Sequence, residues 1–148
     1  DKSSEFLYKC LFKANISNQN TSEHINDGLK LNNAFITAAL KCVPPQDKPE
    51  KKELMNCFNF FQNEIYLLKK LKIIVALGKV AFDTCLEFYK KYYNFDKKYK
   101  FMHGKVYSLP KGIQLIGCYH PSPRNVNTGR INEKKMTNLF IKIQNKVN

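Results

Sequence analysis

Three apolar segments of strand length alternate along the chain with amphipathic, helix-like segments, and this alternation constrains the fold most. The apolar segments are AFITAAL (34–40), KIIVALG (72–78) and IQLIGCYH (113–120). Strands that are apolar on both faces are typical of sheets covered by helices. The alternation therefore predicts an α/β domain, with three α/β/α layers around a central, mainly parallel sheet.

The segments around these strands have the apolar spacing of helices, with capping residues at their starts. We predict a first helix capped by Ser3 or Ser4, a second that begins at Pro49, a third from about Lys79 to Tyr93 and a last one from about Asn132, with a small edge strand in KVYSL. Serine is a favourable N-cap residue, and proline is favourable at the first helical position.

Length and composition narrow the class of protein. The chain has 148 residues, of which 43% are hydrophobic, and this suffices for one domain with a core and argues against disorder. No apolar run approaches the roughly 20 residues that span a bilayer, so no membrane contact is expected. The first residue is Asp1 and not methionine, so we expect a segment of a longer chain, with residues 1–148 forming a single domain.

The net charge of +13 arises from 25 lysines and arginines against 12 acidic residues. A polyanion is the natural partner of such a surface, with candidate phosphate contacts around residues 69–72, 90–100 and 134–135. An AT-rich genome offers another explanation, because it raises Lys, Asn, Phe, Tyr and Ile together. The two interpretations do not exclude each other, and both stay open.

The chain has five cysteines, an odd number, scattered through apolar segments. Such usage differs from the disulfide framework of a small secreted domain. It favours an intracellular, reducing compartment.

The stretch IGCYHPSPRNVNTGR places His120 at the end of an apolar strand and then brackets Ser122 with two prolines. One interpretation is a rigid loop that aims His120 at a ligand. The other is an ordinary strand end with a proline turn and no ligand. Ligands of α/β sheets bind beyond the carboxyl ends of the strands, so this loop and KCVPPQDKP (41–49) are expected at the same end of the sheet.

Three stretches, in this order, resemble the uracil-DNA glycosylase superfamily, most closely its iron–sulfur family five (type B) branch. They are FITAALKCVPPQDKPEKKELMNC, IIVALGKVAFDTCL and HPSPRNVNTGR. The resemblance implies hydrolysis of the N-glycosidic bond of a flipped uracil or deaminated base. His120 matches the imidazole that stabilises the leaving base. Ser122 matches a phosphate contact, Arg124 a residue that enters the minor groove, and Asn125 a brace for the loop.

The resemblance also implies a cofactor. Cys42 and Cys57 match two of the four cysteines that ligate a [4Fe–4S] cluster in these branches. Without the resemblance, two buried thiols would be the simpler interpretation. The remaining three cysteines are interpreted as core residues.

The sequence departs from the family pattern in two places. The first motif, the first strand and two further cluster cysteines of the family are expected upstream of residue 1; otherwise a protein partner would have to cover the exposed sheet edge. Ala38 stands where family four has a base-reading asparagine, which leaves Gln46 and Asp47 as the nearest candidates for reading the base.

Two functions follow as hypotheses. The first is a DNA glycosylase of base excision repair, a hydrolase located with DNA in a nucleoid or nucleus. The second is a catalytically inactive subunit of the same fold that binds RNA, such as a mitochondrial ribosomal component. The upstream residues would separate the two.

Overall fold

The structure, a computed structural model, describes residues 1–37 and 51–148, and from 51 to 57 it describes the backbone alone. In these ranges the elements are α1 (Lys2–Lys13), α2 (Lys51–Leu67), β1 (Ile73–Leu77), α3 (Lys79–Tyr93), β2 (Val106–Ser108), β3 (Gln114–Cys118), α4 (Pro123–Asn127) and α5 (Glu133–Val147). The chain divides into two compact units. The helix unit comprises residues 1–35 and 118–148, and the sheet unit comprises residues 36–117.

The sheet unit contains three strands in the order β1-β3-β2. Strand β2 is antiparallel to β3, with Tyr107 opposite Leu115. The Gln114 amide donates to the Lys72 carbonyl over 2.9 Å, so β1 and β3 begin side by side and run in the same direction. The described sheet is therefore small and mixed, which agrees with the predicted α/β class, and KVYSL supplies its edge strand as predicted.

Helix α3 covers this sheet and begins and ends where the sequence predicts. It packs on β1 and buries one stripe at helical spacing, formed by Phe82, Cys85, Phe88 and Tyr89. Gly78, which precedes the helix, has φ 96°, a conformation that glycine adopts without strain. The helix ends at Asn94 in the left-handed region, a common way to stop a helix.

The helix unit is built on the contact between α1 and α5. Cys10 and Leu11 of α1 are buried, as are Met136 and Phe140 of α5. Helix α5 begins as predicted, because the Asn132 side chain accepts a hydrogen bond from the Lys135 amide. At the surface, the Lys13 ammonium contacts the Glu133 carboxylate at 2.8 Å.

Two predictions about the first third of the chain need correction. Helix α1 is capped by Asp1 and not by Ser3 or Ser4, because the Asp1 carboxylate accepts from the Ser4 amide at 2.7 Å. Residues 34–37 of the predicted first strand have no strand structure and are exposed. The Thr37 hydroxyl instead bonds the Glu64 carboxylate of α2 at 3.0 Å.

The rest of that predicted strand (38–40), the loop KCVPPQDKP and the helix start at Pro49 lie outside the described residues. Within the described ranges, none of the helices is both long and apolar enough to cross a membrane. Cys10, Cys85 and Cys118 are buried free thiols, as predicted for core residues. Burial raises the pKa of Cys85 and of Cys118 to about 12.

Candidate functional site

The candidate site lies in the HPSP segment (residues 119–131), which leads from β3 to α5. The sequence predicts a loop here, but residues 123–127 form the short helix α4. Ser122 is its N-cap, with the hydroxyl oxygen accepting from the Asn125 amide at 3.2 Å, and Pro123 occupies the first turn. A serine followed by proline is a known helix-start signal, so this helix was detectable in the sequence.

Asn125 joins three parts of the HPSP segment. Its side-chain amide donates to the His120 carbonyl at 2.9 Å. Its backbone amide donates to the Ser122 hydroxyl, and its carbonyl accepts from the Ile131 amide at 3.3 Å. These bonds hold the backbone of His120 against α4 and against the segment before α5. The geometry is that of a brace, the role that the resemblance implies for Asn125.

His120 is half-buried at the end of the strand, and the following Pro121 is buried. Burial lowers the pKa of His120 from its usual value of 6.5, because the charged imidazolium is less well solvated there. Burial therefore favours the neutral form of the ring. A neutral imidazole has one N–H donor and one nitrogen acceptor, so it can donate a hydrogen bond to a developing oxyanion while the ring itself stays uncharged.

Ser122 and Arg124 present polar groups beside His120 in the sequence. The Ser122 hydroxyl accepts one bond, from Asn125, and its own hydrogen stays available for donation. Arg124 is exposed, and its side chain makes no ion pair with the part of the chain that the structure describes. Its backbone carbonyl closes α4 by accepting from the Thr128 hydroxyl at 2.9 Å.

Several predicted site residues lie beyond what the structure describes. Cys42, Gln46 and Asp47 fall between residues 38 and 50, and Cys57 belongs to the part of α2 described by its backbone alone. Among the described residues, no group of three or more His, Cys, Asp or Glu side chains is placed to hold a metal ion. A cluster on Cys42 and Cys57 stays a prediction.

Gly117, the penultimate residue of β3, is not among the site residues predicted from the sequence. A Cβ at this position would lie 2.9 Å from the Met102 carbonyl oxygen and 3.0 Å from the Phe101 ring. The segment that contains Phe101 and Met102 crosses β3 at this point. It is also hydrogen-bonded to the strand, because the Gly104 amide donates to the Gly117 carbonyl at 2.8 Å. A glycine inside a buried strand is a signal for such a close approach.

Residues 1–144 match the family model of the uracil DNA glycosylase superfamily. This chain belongs to that superfamily. It is 34% identical over 142 residues to a type-5 uracil-DNA glycosylase of Thermus thermophilus, which covers 95% of this chain and 63% of the relative. A type-5 enzyme of Pyrobaculum aerophilum is 32% identical over 140 residues, covering 95% of this chain and 59% of the relative.

A third type-5 uracil-DNA glycosylase, from Mycobacterium tuberculosis, is 35% identical over 141 residues, covering 95% of this chain and 52% of the relative. These similarities confirm the predicted resemblance to family five of the superfamily. The chain spans between 52% and 63% of the length of these three relatives.

Proposed function

We propose that this chain takes part in the excision of uracil or a deaminated base from DNA, by hydrolysis of the N-glycosidic bond. Membership of the superfamily and the names of the type-5 relatives support this reaction. The single observation that carries it is the geometry of His120, which is half-buried and braced through its backbone by Asn125, and whose pKa is lowered by burial.

The proposed role of His120 is electrostatic. As the glycosidic bond breaks, negative charge collects on the leaving pyrimidine, and a fixed N–H donor directed at its carbonyl oxygen O2 stabilises that charge. The interaction is stronger in the transition state than in the ground state, so it raises the rate of bond cleavage more than it raises affinity. The hydrogen bond from Asn125 holds the His120 backbone in place, so less conformational entropy is lost in reaching the reactive geometry.

The other residues of the site are assigned to binding. We assign Ser122 to a DNA phosphate through its hydroxyl hydrogen, and Arg124 to the minor groove, where it fills the gap left by the extruded base. Gln46 and Asp47 are assigned to reading the base. A protein with these roles would act where DNA is located, in a nucleoid or nucleus.

We further propose that Cys42 and Cys57 supply two of the four ligands of a [4Fe–4S] cluster. The ligand form of cysteine is the thiolate, and burial raises the pKa of Cys10, Cys85 and Cys118, which disfavours that form. The resemblance to the iron–sulfur branches is what assigns Cys42 and Cys57 as the donors in this chain. The bound cluster would supply a structural cross-link between the two cysteines.

Iron and sulfide content of anaerobically purified protein tests the cluster. Cys42→Ser and Cys57→Ser should each lose iron and the visible absorption of the cluster, whereas Cys85→Ser, a buried thiol of α3, should keep both. Folded wild-type protein that contains no iron would refute this assignment. The excision proposal does not depend on that outcome, because no chemical step passes through the cluster.

Single-turnover excision of uracil from duplex DNA, with equilibrium binding measured in parallel, tests the function. His120→Ala should slow excision by roughly 30- to 10³-fold, or about 2–4 kcal/mol, with affinity nearly unchanged. Arg124→Ala should weaken binding and base extrusion more than the chemical step. The matched control is His24→Ala, which replaces an exposed histidine of the helix unit.

Two outcomes would contradict the proposal. Excision by His120→Ala at the wild-type rate would remove His120 from the chemistry. Wild-type protein that binds nucleic acid and excises nothing would favour the inactive, RNA-binding alternative.

A further inference from the structure

The end of α3 and the chain that follows it form a strongly basic surface of the sheet unit. We call residues 90–105 the basic segment; it contains six lysines and one aspartate. All six lysines are exposed. The ion pairs among the described residues are Lys13–Glu133 and Lys79–Asp83, and none of the six takes part in them. Their charge is therefore not neutralised within the described chain.

The backbone of the basic segment is held in place although residues 94–102 form neither helix nor strand. The Tyr99 hydroxyl donates to the Ser108 carbonyl at 2.8 Å, and the Tyr99 ring stacks on Tyr107 with centroids 4.2 Å apart. The Phe101 ring meets the buried Phe82 edge to face at 5.5 Å. The aromatic side chains pack against the core while the lysines face solvent.

The placement of this surface follows from the connection between β1 and α3. The helix begins directly after β1 and packs back on it, so its last turn, with Lys90 and Lys91, lies towards the amino end of β1. Ligands of α/β sheets bind at the carboxyl ends of the strands. Lys90 and Lys91 therefore lie away from the carboxyl end of β1, whereas residues 102–105 of the basic segment lie against Gly117, next to the carboxyl end of β3.

We propose that the lysines of the basic segment bind the phosphodiester backbone of DNA, in addition to the contacts assigned to the HPSP segment. The inference rests on the proposed function, in that it takes DNA as the partner. Lysine is a compact point charge suited to phosphate, and phosphate contacts position a protein without reading sequence. The Tyr99 and Phe101 rings pack inward, so they add no stacking with bases, and the surface is suited to duplex backbone.

The test replaces Lys97, Lys98 and Lys100 together by glutamine. The matched control replaces Lys9, Lys142 and Lys146 by glutamine, which removes the same charge from exposed positions of the helix unit. A third variant carries arginine at positions 97, 98 and 100 and keeps the charge. The affinity of each protein for undamaged duplex DNA is measured over a range of salt concentrations.

The glutamine variant of the basic segment should bind at least about tenfold more weakly at 0.1 M salt, with its salt slope reduced by about 2.7, because each lost phosphate contact removes about 0.9 from the slope. The control variant should keep the wild-type slope, and the arginine variant should bind like wild type. All three variants should unfold at the same denaturant concentration as wild type, because these side chains are exposed.

Equal losses of slope in the two glutamine variants would overturn the inference, because binding would then follow net charge alone. Loss of binding to anionic vesicles with unchanged DNA affinity would overturn it in favour of a membrane surface. The readout is separate from excision. A protein that excises uracil but shows equal slopes refutes this inference alone, and one that binds through the basic segment but excises nothing refutes the proposed function alone.

Discussion

The HPSP segment and the basic segment both carry side chains assigned to DNA, but different forces hold their backbones. In the HPSP segment, hydrogen bonds converge on Asn125 and fix the carbonyl of His120. In the basic segment, the rings of Tyr99 and Phe101 attach the chain to the core. Hydrogen bonds are directional, whereas packing of rings depends mainly on buried area. The first arrangement orients a single group, and the second holds the backbone of a surface whose lysine side chains are exposed.

The two kinds of support also differ in strength. Removing a buried ring loses its transfer free energy and leaves a cavity, whereas removing one hydrogen bond costs less unless a buried group is left without a partner. The stability of the sheet unit should therefore respond more strongly to mutation of its anchors than that of the HPSP segment.

The largest effect is expected for Phe82→Ala, which removes the fully buried ring that contacts Phe101 and Tyr107. The free energy of unfolding should fall by about 3–5 kcal/mol, measured by urea denaturation. Phe60→Ala is the control, since Phe60 is 71% exposed, and it should change stability by no more than about 0.5 kcal/mol. Equal losses in the two variants would show that the aromatic core does not anchor this unit.

A smaller effect on stability is expected for Asn125→Ala, which removes the bond to the His120 carbonyl. Unfolding should require about 1–2 kcal/mol less, because a part-buried carbonyl loses its donor. Asn125→Asp should behave similarly, since an ionised carboxylate of the same size cannot donate. If excision is observed, both variants should slow it, while Asn127→Ala, two residues further along α4 and exposed, should not. Wild-type stability and rate in both Asn125 variants would refute the brace.

The smallest effect concerns pH. Because burial lowers the pKa of His120 in the folded protein, the unfolded chain binds more protons below its ordinary pKa of 6.5. Stability should therefore fall as pH drops through about 6.5 and stay level above it, as far as His120 contributes. Urea denaturation between pH 5 and 7.5 should show a flatter profile for His120→Gln than for wild type, with exposed His24→Gln as the control. Parallel profiles for wild type and His120→Gln would exclude this assignment.

The sequence predicts the periodic elements well and the non-periodic ones poorly. The apolar spacing of Phe82, Leu86 and Tyr89 predicts α3, because burial of one helical face has a spacing that can be counted, and the structure buries Phe82 and Tyr89. The apolar run at 34–40 predicts a strand, yet residues 34–37 are exposed and form no strand. The prediction fails there because a short apolar run does not reveal which other elements will cover it. The bond from Asn125 to His120 depends on the path of the chain, which composition does not encode.

The contrast between Asp1 and Ser122 shows how local signals compete. Both are good N-cap residues. At the start of α1, however, Asp1, Ser3 and Ser4 are all favourable N-cap residues, and only the hydrogen bond from the Ser4 amide to the Asp1 carboxylate identifies the cap. At Ser122 the same signal is present, but the two prolines suit a stiffened loop as well as a helix start, so the sequence alone does not distinguish them. The support of the lysines by Tyr99 could not be predicted, since its partner Ser108 lies on a different element.

The close approach of Met102 to Gly117 determines which substitutions position 117 can accept. The nearest obstacle to a side chain at position 117 is a backbone carbonyl, which no rotamer change can move aside. Every amino-acid replacement in the codon therefore meets the same obstacle, whether the new residue is polar, apolar or charged. Any substitution of Gly117 therefore requires the backbone around Met102 to shift, whatever the chemistry of the new side chain.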